Sequence, residues 1–195
     1  MITMINAALQ FLASRLDAYL RKDMPLQENL VVVSRLMEND GKETESSINK
    51  LNLFLVNVEK DSMAQNASRP EFDGFRTIVP AKKVYLNLYV LLAANFKNAN
   101  YAEALKYLSK GISFFQDHSV FDRTASPDMP EGLEKLMLDM ENMGLQDMNS
   151  LWGMLGCKYV PSVMYRIRTV ALGSGYSYYW PYVIHVPENS LLGAL

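Results

Sequence analysis

The chain is poor in the groups that do chemistry. One cysteine, Cys157, and two histidines, His118 and His185, supply all the thiol and imidazole in 195 residues. A lone thiol can close no internal disulfide and build no thiolate metal cluster, and it fits synthesis in a reducing cytoplasm. Charge of one sign is also missing: 19 basic against 21 acidic residues leave a formal charge of −2. That balance argues against a long nucleic-acid groove. No uninterrupted apolar run reaches the roughly 18 residues that would span a bilayer, so no membrane insertion is expected. The N-terminal MITMINAALQFLASRLDAYLRK has no basic segment ahead of its apolar residues and carries Arg15 and Asp17 inside them. A secretory signal is therefore not expected.

Catalytic constellations are absent as well. There is no P-loop, no dinucleotide-binding glycine pattern and no zinc-ligand spacing. Asp117, His118 and Ser119 are neighbours in sequence, whereas catalytic triads are assembled across a fold. His118 is placed to act as a cation at a helix C-terminus. Cys157 has no base beside it and reads as a small buried hydrophobe. The GSG at 173–175 reads as a turn. No enzyme, cofactor or metal is expected.

What the chain does hold is ordinary globular material, with 49% apolar and 21% charged residues. Its length suits one well-packed domain over 1–195. Ile2, Ile5, Leu9, Leu12, Leu16 and Tyr19 step by three and four, predicting an amphipathic helix that ends near Lys22 ahead of Pro25. Leu30 to Val33 reads as a strand, and ENDGKETESS at 38–47 as a solvated turn around Asp40-Gly41. Residues 51–58 are apolar at both alternations, predicting a strand covered on both sides. Weak periodicity marks about 60–82 as a long surface loop.

Val84 to Phe96 is apolar almost throughout and predicts a central strand. Tyr101, Leu105, Leu108, Ile112 and Phe115 then mark one face of a helix, with Asn100 and Glu103 resembling a capping box. Gly111 weakens that helix and lets another element come close. Residues 133–143 satisfy both strand and helix spacing; the flanking prolines and Gly144 favour a strand. Met148, Leu151, Trp152 and Leu155 form a compact helix face that Gly156 ends. After Pro161, Val163, Tyr165 and Ile167 point one way along a strand, and Met164, Arg166 and Arg168 the other. YSYYWPYVIHV is β-prone, and Pro181 makes it an edge strand or two pieces. The fold class expected is α/β (α+β): a mixed or antiparallel sheet flanked by about three helices.

Arg166 and Arg168 share one strand face near Lys158, Tyr159 and Tyr165. Two guanidiniums there could pair with carboxylates across a subunit boundary; a solvated face is an equally good reading. Asp139 and Glu141 most simply solvate their own strand face. Trp152, Leu151 and Phe115 are expected to support the core.

LNLYVLLAANF, NYAEALKYLSKGISFFQ and LWGMLGCKYVPSVMYRIR resemble the strand–helix and helix–turn–strand blocks of a known family. It is the cap, or tail-terminator, family (N-terminal domain) of extracellular contractile injection systems, of the antifeeding-prophage and Photorhabdus-virulence-cassette kind. The resemblance covers roughly 2–172, more weakly in the first helix and at 53–66, where Lys60 and Gln65 depart from the family's pattern. It implies a tail-terminator-like fold and a non-enzymatic structural protein. Such a protein caps the distal end of an inner tube and its sheath as a homo-oligomer, a hexameric ring, and stops elongation. The implied partners are the inner tube protein, the sheath protein and further copies of the chain. Assembly would take place in the bacterial cytoplasm, within a particle that can be released. Longer relatives continue past the shared domain, so sheath contacts made by such an extension would be absent here or supplied by another protein. Tyr159, Tyr165, Arg166 and Arg168 are the residues expected at a subunit or tube interface. Two other readings are another adaptor of the same particle, and a soluble ligand-binding or regulatory α/β domain sharing only the fold.

Overall fold

The computed structural model describes residues 4–23, 28–38, 40–61, 71–72, 77–78, 83–97 and 100–172. Helix α1 (Met4–Asp23) leads into a short strand β1 (Val31–Val33), a 3-10 turn (Glu45–Ser47) and a long strand β2 (Lys50–Lys60). Two-residue strands β3 (Glu71–Phe72) and β4 (Thr77–Ile78) pair with each other. Then follow β5 (Lys83–Asn95), α2 (Tyr101–Asp117), β6 (Val120–Asp122), β7 (Leu133–Glu141), α3 (Leu145–Leu155) and β8 (Ser162–Leu172). This is the mixed α/β architecture with three helices that the sequence predicts.

The main sheet runs β1-β2-β5-β8-β7-β6. β1 lies parallel to β2, and every other pairing is antiparallel. From Val90 to Ala94, central β5 is covered on both sides, which suits its apolar run. Leu88, Val90, Leu92 and Ala94 are buried under α1 and α2, while Leu91 and Ala93 are buried against the opposite layer. Each fully buried leucine contributes roughly 1.5–3 kcal/mol, so this strand anchors both layers.

α2 reaches the sheet through small residues. Ala104, Tyr107, Leu108, Gly111, Phe114 and Phe115 form its buried side, while Tyr101 and Leu105 are 56% and 41% exposed. Of the predicted face, Leu108 and Phe115 are buried and Ile112 packs against the core, while Tyr101 and Leu105 stay exposed; Gly111 allows the close approach that the sequence expects there. A β-carbon at Gly111 would stand 3.0 Å from Leu92 Cδ2 and 3.6 Å from Leu16 Cδ2. Asn100 makes no side-chain cap bond, so the expected capping box is not formed. His118 sits at the C-terminus of α2 as expected, its ring stacked on Phe114 and its Nδ1 3.0 Å from the Phe114 carbonyl.

α1 is tied to β1 by one carboxylate. Asp17 accepts the backbone N–H groups of Leu30 at 2.7 Å and Val31 at 3.0 Å, and the Arg21 Nε–H at 2.6 Å. The side chain is buried, so these bonds replace water that it has lost.

Two expectations change in extent. β2 is buried from Leu51 to Leu53 and half-buried from Phe54 to Val56, with Leu55 packed on one core layer and Phe54 and Val56 on the other, whereas Asn57 to Lys60 are exposed. The expected 60–82 loop begins with the end of β2 at Lys60 and with Asp61, whose N–H reaches the Tyr85 carbonyl, and it contains the β3–β4 pair; residues 62–70, 73–76 and 79–82 lie outside the described residues, while Lys83 begins β5. Residues 133–141 form the favoured strand. Gly156 ends α3 at φ +66°, a left-handed conformation that glycine adopts without strain. The GSG turn, the aromatic run after it and His185 lie outside the described residues.

Candidate functional site

The sheet face turned away from α1 and α2 divides into two halves. Over one half, α3 and the segment around Leu36 bury Leu91, Ala93, Met164, Leu151 and Trp152. No described helix packs over the other half, and its side chains are polar apart from Met137. Two cross-strand rows set it out: Asn57–Tyr89–Arg166–Asp139, and Glu59–Asn87–Arg168–Met137.

Ion pairs knit these rows together. Asp139 Oδ2 is 3.2 Å from Arg168 and 4.0 Å from Arg166, and Glu141 is 3.6 Å from Arg166 Nε. The Tyr89 hydroxyl donates to Glu59 at 3.1 Å. Burial, and then the adjacent Glu59 carboxylate, raise the Tyr89 pKa above the ordinary phenol value, so it stays a donor at neutral pH. The result is a mixed-charge, partly desolvated surface whose guanidiniums are already oriented. Such a surface favours register and selectivity in docking more than raw affinity.

Of the four residues expected at an interface, Arg166 and Arg168 stand side by side on this open half. They pair with Asp139 and Glu141 of the same chain, carboxylates that the sequence left merely solvated. Tyr159 lies elsewhere, beyond α3, 58% exposed and edge-on to Trp152 at 5.5 Å. Tyr165 faces the opposite layer. It is 3% exposed and packs against Phe115 at 5.2 Å, so in the monomer it belongs to the core beside Leu136 and Ile167. Its phenol pKa is raised by burial, and its hydroxyl has no hydrogen-bond partner among the described residues. Trp152, Leu151 and Phe115 are buried, as expected of core supports.

Sequence reasoning did not single out Tyr89, Asn87 or Glu59. Their signal is the polar residue at alternate positions of two otherwise apolar strands. A second feature was also missed, an open groove of about 660 Å³ lined in part by Leu36, Met37, Phe96, Lys97, Cys157 and Tyr159. Three distant segments build it, and no local pattern announces it. Burial raises the Cys157 thiol pKa, the opposite of what a nucleophile or metal ligand requires. Among the described residues no group of three His, Cys, Asp or Glu side chains could hold a metal ion, and no helix is long and apolar enough to cross a membrane.

A family described as the Pvc16 N-terminal domain matches residues 7–178. The chain belongs to that family. No curated protein matches the sequence. Among solved structures, the chain is similar to an anti-feeding prophage cap, described as the tube-terminating cap, with TM-score 0.57 and 12% identity. That match covers 100% of this chain and 62% of the cap. It is also similar to the PVC sheath/tube terminator of an extracellular contractile injection system in its extended state. There the TM-score is 0.60 and the identity 14%, over 100% of this chain and 64% of the terminator. The chain thus spans under two thirds of each solved relative. At these identities the likeness establishes a shared fold.

Proposed function

We propose that this chain is a structural cap of a phage-tail-like contractile particle, seated as a ring on the distal end of the inner tube and its sheath. It acts without catalysis. A tube grows by open head-to-tail stacking of rings, so a terminator must complement the last ring and present an outer face that accepts no further ring. Lateral contacts between copies would be heterologous and close by rotation into a hexamer. Several modest contacts then act together through effective concentration.

The observation that carries this reading is the likeness in fold, over the whole of this chain and under two thirds of each relative, to two terminators, within a matching family. The open polar half-face supports it, because exposed strands with pre-oriented ion pairs suit docking better than chemistry. Arg166 and Arg168 belong to the contacting surface, with Tyr159 at a separate contact; Tyr165 supports the core behind them. Assembly takes place in the cytoplasm of the producing bacterium, and all of 1–195 forms one cap domain.

The test is localisation. Gold-labelled chain bound to purified particles should decorate the end opposite the baseplate, in one cluster per particle. Decoration of the baseplate end would favour an adaptor, and an absence of particle binding would favour a ligand-binding domain.

A further inference from the structure

The groove beside Cys157 combines an apolar lining with a basic rim. Leu36, Met37, Phe96 and Val160 supply apolar surface, and Tyr159 adds an exposed ring held edge-on by Trp152. A second hollow of about 310 Å³ shares Leu36, Met37 and Cys157 with the first and continues past Leu155 to Phe54 and Leu55. Phe54 is paired with Leu91, and Phe96 follows five residues later, so the joined hollows run roughly 17 Å at the usual strand rise. That length takes about five residues of extended chain.

Two ammonium groups mark this groove out. Lys97 and Lys158 line it and are exposed, and no described carboxylate pairs with either of them. Glu43 also lines the groove, but its carboxylate accepts the Asn95 Nδ2–H at 3.0 Å. Glu38, Asp40 and Glu45 line a neighbouring hollow, where Asp40 pairs with Lys42 at 3.0 Å. The chain as a whole is slightly acidic, so unpaired cations beside apolar surface are a local departure. Their complement is an apolar segment flanked by carboxylates. An open hollow suits such a segment better than a small ligand, because small-molecule sites enclose most of their ligand's surface.

We propose that this groove receives an extended, acidic-flanked apolar segment of a protein partner. The segment's apolar side chains rest on Leu36, Met37 and Phe96 with the Tyr159 ring against them, and its carboxylates face Lys97 and Lys158. Methionine and aromatic residues at the centre with charge at the rim is the usual make-up of a protein interface. The proposal gives the separate Tyr159 contact its chemistry, and it rests on the cap reading only for the partner's place in a particle.

The experiment titrates the isotope-labelled full chain with the synthetic peptide acetyl-Asp-Leu-Phe-Leu-Glu-amide and follows backbone amide shifts by NMR, with no tube protein present. Saturable shifts should concentrate at residues 35–37, 54–55, 96–97 and 155–160. A peptide with Lys at both ends should bind about tenfold more weakly, because like charges then face Lys97 and Lys158. Lys97→Ser with Lys158→Ser should weaken the acidic peptide about fivefold and leave the shifts of β7 and α2 unchanged. The proposal is overturned by an absence of groove shifts at millimolar peptide, by equal binding of both peptides, or by a double variant that binds as the wild type does. Decanoate filling a groove that the peptide ignores would overturn it in favour of a small apolar acid. Because tubes take no part, none of these outcomes touches the cap reading, and failure of that reading in particle localisation would leave peptide binding intact.

Discussion

Asp139 on β7 holds its carboxylate 3.2 Å from the Arg168 guanidinium on β8, while also lying 4.0 Å from Arg166. One carboxylate thus pairs with two arginines on a sheet face that no described helix covers. Exposed ion pairs of this kind contribute about 0.2–1 kcal/mol each. Arg166→Glu with Arg168→Glu removes three such pairs and sets like charges opposite Asp139, so it should cost about 2–3 kcal/mol of stability. The same change turns the surface wholly acidic around Asp139 and Glu141. Urea denaturation should show a folded monomer, and co-sedimentation with tubes should fall by at least tenfold. Unchanged co-sedimentation would remove both arginines from the contact surface.

The buried Asp17 carboxylate carries the junction of α1 and β1. Asp17→Ala leaves the Leu30 and Val31 N–H groups without their acceptor, which should cost roughly 3 kcal/mol. Chemical denaturation measures this directly. Asp17→Asn keeps an acceptor and should recover part of the loss.

Tyr165 offers the opposite sign. Its hydroxyl is buried without a partner among the described residues, so Tyr165→Phe should be neutral or stabilise by up to about 1 kcal/mol. Burial raises the folded-state pKa of this phenol. Below pH about 10 both states are protonated and the group contributes nothing to pH dependence. Above it the unfolded chain ionises first, and stability falls as pH rises. Tyr165→Phe should flatten that decline above about pH 10 in denaturation curves. An unaltered slope would contradict the burial.

Gly111 keeps α2 against β5. Gly111→Leu must place a side chain where Leu92 Cδ2 already stands 3.0 Å from the ideal β-carbon position. Overpacking of this kind should cost at least 1–3 kcal/mol, read as a lowered melting temperature with helical circular dichroism retained.

Much of this architecture is legible in the sequence, because the strands that matter alternate cleanly. The residues after Pro161 place Val163 and Ile167 on one face and Arg166 and Arg168 on the other, as the structure does. That same alternation puts Tyr165 on the opposite side from Arg166 and Arg168. Grouping all three at an interface ignored the period of two, and burial against Phe115 is the consequence. The face of α2 is legible at Leu108, Ile112 and Phe115, but Tyr107 and Phe114 replace Tyr101 and Leu105 on its buried side, because spacing alone does not fix how far around the helix the contact reaches. Asp139 and Glu141 showed no partner in sequence, since their pairing depends on the register of β7 against β8. The groove beside Cys157 joins segments far apart in the chain, which no local pattern records. Gly156 was readable for the converse reason, because a helix end is a local event.

Growth arrest is the central claim, and polymerisation of the particle's tube protein in vitro tests it most directly. Tube lengths are measured by electron microscopy while this chain is added at increasing ratio. The account predicts that mean length falls steadily with ratio and that one end of each tube stops growing. Lengths unchanged at every ratio, with both ends still extending, would contradict it.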